Sequence, residues 1–424
     1  MPSYEDDLRK IPKPVSDIRP SAMKNFIAAT GAIGVLRASP YLIVLILGSL
    51  FSKQVVSPLT IYITFVQLGA VLIGLGFPQL FSIEVSLATK DSDIKAVFVA
   101  FMKIATLSQI VLLPILFLTY WLLYDLSGQN FFLLCVALTA SLPLALAGNI
   151  TAVYIKKGKS LSLFFVNVLF FLILASALLV VGYMNELEPA LSAATISAIY
   201  WLYFLICLKP ILRLSSDVKN LSISALFLNR WRPAIYNLLA SIVTPLGIVV
   251  VNSILLHTVG ARAQAEFYIA YSIFSLLVFL PNALTQQVLM RISSLREDRN
   301  AIRTALRGIV LSHVLIAVLV VGLGFVFVHA YQGGTGKVLI NEELNGFLFA
   351  AFTFYLISPM SQALIATGME RCLLAVNLLW LVSFILLAIV CIRLETIPIA
   401  FSYFASFLLV ALGNFYFLRK KALI

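Results

Sequence analysis

One arginine stands where the chain is otherwise apolar. The stretch Asn25 to Phe51, NFIAATGAIGVLRASPYLIVLILGSLF, carries Arg37 near its middle, three residues before Pro40. At about 1.5 Å per residue it is long enough to cross a hydrocarbon core of roughly 30 Å. An arginine at that depth costs at least about 2.5 kcal/mol on insertion scales, so it belongs against protein or water and not against lipid. Its planar fork suits bidentate contact with a phosphate, which a lysine reproduces poorly. Pro40 removes a backbone donor and favours a kink, as in helices that line a cavity. The stretch therefore reads as one wall of a central, water-filled chamber that receives something anionic. The plainer alternative is a structural arginine satisfied by carbonyls beside the kink.

Few other residues have comparable chemistry. Lys103 lies about two turns inside a later apolar stretch, where it either snorkels to headgroups or helps to capture an anion. Glu84 and His313 sit near the ends of their stretches and are the candidates for exchanging protons during transport. Gln67, Asn149, Asn252 and Asn282 are uncharged polar residues within apolar runs. Facing a chamber they would contact sugars, and elsewhere they would tie helices together at roughly 0.6 kcal/mol each. Tyr41, Tyr62, Tyr268 and Tyr271 could stack on sugar faces or simply pack. No aspartate or glutamate lies deep in any apolar stretch. The three histidines, His257, His313 and His329, have no ligand spacing, so no metal site is expected. YQGGTGK, from Tyr331 to Lys337, has glycines and a lysine but not the strand, helix and hydroxyl of a phosphate-binding loop. No cofactor and no catalytic group are expected. A membrane glycosyltransferase would need a substantial catalytic loop, and the longest loop on the side away from the termini runs only from about Tyr331 to Glu343.

The elements that must hold these residues are membrane helices. Of 424 residues 61% are hydrophobic and 11% charged, which describes a polytopic membrane protein. Apolar stretches follow the first at about Leu59–Ile83, Val97–Tyr124, Phe131–Tyr154, Ser162–Tyr183 and Leu191–Leu208. A second set runs at Pro233–Leu256, Glu266–Met290, Gly308–Ala330, Leu344–Thr367, Leu373–Ile392 and Pro398–Leu418. That is an all-α chain of about 12 spans, with both termini on one side. Of 30 lysines and arginines, 24 fall in segments on the side of the termini and four on the other. The positive-inside rule makes the first side cytoplasmic. The net charge of +12 marks orientation and contact with anionic lipid headgroups, and it calls for no nucleic acid.

The chain also resembles itself. Ser39-Pro40 matches Thr244-Pro245, Tyr62-Ile63 matches Tyr268-Ile269, and Gly158 with Asn167 nine residues on matches Gly368 with Asn377. Three matches in order predict a tandem duplication of six helices. The expected organisation is a tail over 1–24, a six-helix lobe over 25–208, a linker over 209–232, a second lobe over 233–418 and a short tail over 419–424. Because six is even, the pseudo-symmetry axis runs along the membrane normal, as in transporters that rock two bundles about a central site.

Twelve helices in two six-helix lobes, Gly158 and Gly368 closing the fourth and tenth, and the stretch FYIAYSIFSLLVFLPNALTQQVLMRISSL resemble the multidrug/oligosaccharidyl-lipid/polysaccharide (MOP) flippase superfamily. Within it the chain is most similar to bacterial polysaccharide flippases of the O-antigen (Wzx) type. That resemblance implies a V-shaped pair of lobes in the bacterial inner membrane. The implied cargo is an undecaprenyl diphosphate-linked oligosaccharide, passed through a basic central cavity that Arg37 fits by type and place. Membrane lipids and other polysaccharide-assembly membrane proteins are the implied partners. The alternative in the same superfamily is a cation-coupled exporter of drugs or metabolites, whose lobes commonly keep carboxylates that this chain lacks.

Overall fold

The computed structural model describes residues 20–74, 81, 85, 88, 90–123, 128–185, 189–214, 223–295, 298–335, 341–394 and 398–424; a minority of side chains within its helices, that of Arg37 among them, fall outside the description. Among the described residues every regular element is an α-helix. They are α1 (Pro20–Leu50), α2 (Lys53–Gly74), α3 (Asp91–Leu123), α4 (Gly128–Lys156), α5 (Ser160–Asn185) and α6 (Pro189–Leu212). There follow α7 (Ile223–Thr258), α8 (Ala261–Leu277), α9 (Phe279–Ser294), α10 (Arg299–Thr335), α11 (Asn341–Ala366), α12 (Glu370–Leu394) and α13 (Ile399–Lys420). Ten of the described helices are long and apolar enough to cross a membrane, and α1, bent by 50° between Ala28–Leu36 and Ala38–Leu50, makes an eleventh. The eighth expected span differs from a single helix. It is broken at Val278 into α8 and α9, three residues before Pro281.

The sequence repeat is built into the packing. In the first half α1 packs on α5, α2 on α3 and α4, α4 on α6, and α5 on α6. In the second half α7 packs on α12, α9 on α10 and α11, α11 on α13, and α12 on α13, which is the same scheme six spans later. The matched asparagines and glycines perform the same local work. Asn167 Nδ2 on α5 donates to the Ala32 carbonyl on α1 at 2.7 Å, and Asn377 Nδ2 on α12 donates to the Ala240 carbonyl on α7 at 3.4 Å. Gly158 and Gly368 adopt φ of 65° and 74°, a region that costs a residue with a Cβ. Both close their helices by one scheme. Gly158 N–H donates to Ile155 and Lys159 N–H to Tyr154, just as Gly368 N–H donates to Ile365 and Met369 N–H to Leu364.

Polar groups finish the helix ends. Glu343, near the start of α11, accepts from the Ile399 and Ala400 N–H groups at 2.8 and 2.7 Å and so caps the positive end of α13. Lys95 Nζ donates to the Leu212 and Leu214 carbonyls at 2.9 Å each and caps the negative end of α6. Lys157 pairs with Asp91 at the same end of the bundle. The outer faces are apolar instead: Leu107, Ile110, Val111 and Ile115 on α3, and Leu311, Leu315, Leu319 and Val326 on α10, are exposed. Such belts suit hydrocarbon and not water.

Gly158→Ala and Gly368→Ala should each cost about 1 kcal/mol, because both put a Cβ into the left-handed region. Gly148 lies inside α4 with open space where a Cβ would stand, so Gly148→Ala should be neutral or stabilise by up to about 1 kcal/mol. Thermal unfolding in detergent reads all three. An equal loss at Gly148 would contradict these assignments.

Candidate functional site

The residues where the two halves meet come chiefly from α1 and α2 on one side and α7, α8 and α9 on the other, with a smaller contact between α3 and α7. Two of these spans, α1 and the α8–α9 pair, are bent or broken beside a proline, and in both the carbonyl that the proline frees is held by a hydroxyl. Pro40 leaves the Leu36 carbonyl without its helical donor, and Ser39 Oγ donates to it at 2.9 Å. Pro281 leaves the Leu277 carbonyl in the same position, and Tyr355 Oη, reaching from α11, donates to it at 2.9 Å. Both breaks thus leave the freed carbonyl partnered.

At the end away from the chain termini the seam is closed by side chains. Ser57 Oγ on α2 donates to Gln264 Oε1 on α8 at 2.6 Å, and Gln264 Nε2 donates to Thr60 Oγ1 at 2.8 Å. Thr60 in turn donates to the Ser57 carbonyl at 2.7 Å. Ser57, Thr60 and Gln264 are all buried, and both polar atoms of the Gln264 amide are satisfied across the seam. Deeper in, Tyr41 meets Tyr271 edge-on with ring centroids 6.0 Å apart. Here α1 approaches the other half closely enough that a larger residue would make its neighbours shift: a Cβ on Gly34 would stand 2.2 Å from Phe279 Cζ, and one on Gly48 2.7 Å from Ile269 Cδ1.

The residues singled out from sequence are dispersed around this seam. Arg37 lies at the bend of α1, and its side chain is outside the described residues, as is Glu84 entirely. Gln67 lines, with Pro40, Tyr62, Leu144 and Tyr200, a void of about 10 Å³ inside the first half. That holds about one water. Asn149 on α4 and Asn252 on α7 are buried in separate halves; the Asn149 Oδ1 and both polar atoms of Asn252 have no hydrogen-bond partner among the described residues. Asn282, half-buried, follows Pro281 on α9. Lys103 is exposed on the same face of α3 as Leu107 and Ile110, which is the geometry of snorkelling. His313 is buried on α10. Sequence reading missed Gly34, Ser57, Thr60, Gln264 and Phe279. One signal did point to Gln264: the offset relating Tyr62 to Tyr268 sets it opposite Pro58, and equivalent positions meet at a two-fold axis.

No family model matches the chain, and no curated protein sequence matches it. Solved structures do. A multidrug resistance MATE family transporter of the MOP superfamily, in its inward-facing conformation, aligns with a TM-score of 0.64 at 13% identity over 94% of this chain and 95% of its own. A eukaryotic MATE transporter aligns with a TM-score of 0.68 at 14% identity over 95% of each chain. The fold is that of the MATE transporters. A MOP superfamily transporter from Pyrococcus furiosus, described as having a binding pocket of reverse polarity that suggests a different function, aligns with a TM-score of 0.65 at 11% identity over 94% of this chain and 95% of its own. The likeness reaches the MATE fold and does not test the polysaccharide-flippase subtype. In MATE terms the seam between α1–α2 and α7–α9 is where the two lobes touch.

Gly34→Val should destabilise the protein by about 1–3 kcal/mol, the usual cost of overpacking, by driving Phe279 out of place. Phe279→Ala in the same chain should restore part of that loss. Thermal unfolding of the two single variants and the double variant checks it, and simple additivity would contradict a direct Gly34–Phe279 contact.

Proposed function

We propose that this chain is a membrane transporter that works by alternating access, with two six-helix lobes rocking about the seam. The observation that carries the reading is the duplicated packing scheme, present in a MATE fold that aligns over nearly the whole of both chains. On that footing, export of drugs or metabolites has the better support, since the similar structures include a multidrug resistance transporter. No aspartate or glutamate lies deep in any span, so a carboxylate-coupled exporter of cations is the less natural version of it. The charge in the middle of α1 is an arginine, at a bend beside the seam. An amphipathic organic anion is the cargo class that fits. The reverse-polarity description of the Pyrococcus furiosus transporter is a precedent in kind for this fold.

One observation favours a second reading. Arg37 without an intramembrane carboxylate also suits a lipid-linked oligosaccharide diphosphate flipped across the bacterial inner membrane, with both termini in the cytoplasm as the charge asymmetry indicates. Outward movement of such an anion gains about 2.3 kcal/mol per charge per 100 mV of membrane potential.

Cells lacking the gene separate the two readings. Raised sensitivity to amphipathic drugs, with unchanged lipid-linked sugars, supports export; accumulated lipid-linked sugars with loss of surface glycan supports the flippase. Neither change would contradict the transporter reading. In whichever assay responds, Arg37→Ala at normal expression should lose about ten- to hundredfold of activity, the equivalent of one charged hydrogen bond at about 1.5–3 kcal/mol. Arg37→Lys should recover part of it. Full activity of Arg37→Ala would remove the arginine from cargo binding.

A further inference from the structure

α10 is a lipid-facing helix with one anomaly. Its buried stripe runs Ile302, Leu306, His313 and Ala317, and His313 is its only buried polar side chain among the described residues. A leucine there would pack at no polar cost. The His313 Nδ1 lies 2.8 Å from the Ile309 carbonyl. A carbonyl only accepts, so Nδ1 carries the hydrogen and Nε2 the lone pair. Nε2 is buried and has no hydrogen-bond partner among the described residues. The ring of Tyr355, on α11, meets the imidazole edge-on with centroids 6.5 Å apart. This is the tyrosine whose hydroxyl holds the Leu277 carbonyl left free by Pro281. Two residues past Leu277, Phe279 closes on Gly34 of the other lobe. A continuous line of contacts therefore runs from the imidazole, through the break between α8 and α9, to the seam.

We propose that His313 is a proton-binding site whose occupancy is coupled, through Tyr355 and the break between α8 and α9, to the seam between the lobes. The inference rests on the alternating-access reading above and adds a coupling ion to it. A second hydrogen on the ring would sit at Nε2, where the described arrangement offers it no acceptor, and would bring a charge into an apolar site. Protonation therefore disfavours the closed seam and favours an arrangement in which Nε2–H meets water or the Tyr355 oxygen. A hydroxyl can accept from Nε2–H while donating to Leu277, so the same atom can pass the change to the helix break. Linkage then fixes the sign: the described arrangement gains population as pH rises and loses it as pH falls.

Among the described side chains, the other ionisable groups on the packed elements lie elsewhere. On α8, Arg262 and Glu266 pair near its start, at the far end of the bundle, while Tyr268 and Tyr271 lie toward the seam. On α9, Arg291 is exposed in the last turn; on α11, Glu343 caps α13. On α10 itself Arg299, Arg303 and Arg307 are exposed, and Asp298 caps its first turn through the Asn300 and Ala301 N–H groups.

The test uses the full chain in lipid vesicles, with the four native cysteines replaced and spin labels on Lys159→Cys and Lys420→Cys, one in each lobe. Distances between the labels should fall into two populations. Their ratio should change about tenfold between about pH 8.5 and about pH 5.5, as a one-unit difference in histidine pKa between arrangements requires. His313→Gln should abolish the shift, and Tyr355→Phe, which keeps the ring but not the hydroxyl, should reduce it. A wild-type ratio that ignores pH, or a His313→Gln protein that titrates like the wild type, overturns the proposal while leaving alternating access standing. If His313→Gln does not fold, a full wild-type shift in Tyr355→Phe overturns it. A single fixed distance under all conditions overturns alternating access as well.

Discussion

A proline inside a membrane helix takes away a backbone donor in a solvent that supplies none. Two spans that line the seam, one in each lobe, are bent or broken beside such a proline, at Pro40 and at Pro281, and both meet the defect with a hydroxyl. The solutions differ in reach. Ser39 serves its own helix, so the α1 bend is self-contained; Tyr355 comes from α11, so the break between α8 and α9 is answerable to its neighbours. Unequal dependence of this kind makes the second lobe the natural place for an ion to act, and the first lobe the natural place for a fixed wall. The seam itself is held by a few hydrogen bonds, by an aromatic contact and by apolar packing continuous with the core of both halves.

Much of this architecture is legible in the sequence, because lipid leaves the chain few choices. Span lengths, the even count and the charge asymmetry follow from hydrophobic thickness and the positive-inside rule. The duplication is legible through residues whose local task permits no substitute. Gly158 and Gly368 appear in register because a left-handed helix end needs glycine, and Asn167 and Asn377 because a side-chain amide ties adjacent helices at the same height.

The site is less legible, and the reasons are physical. Whether a polar residue faces cargo, lipid or a neighbouring helix is set by rotation about the helix axis, which a uniformly apolar span hardly records. Lys103 and Asn149 read alike along the chain, yet one is exposed to the lipid side and the other is buried. Gln264 sits near the start of its helix, where a polar residue is unremarkable until its partners on α2, two hundred residues earlier in the chain, come into contact with it. Gly34 shows the same limit: its importance lies in a ring that belongs to the other lobe.

The most direct measurement of the central claim joins the two lobes across the seam. Ser57→Cys and Gln264→Cys, in a chain without its native cysteines, would be linked by a short thiol cross-linker in vesicles while export or lipid flipping is followed. The account predicts that linking stops transport and that cleaving a reducible linker restores it. Transport that continues at full rate when every molecule is cross-linked would contradict it, because the lobes would then have no need to part.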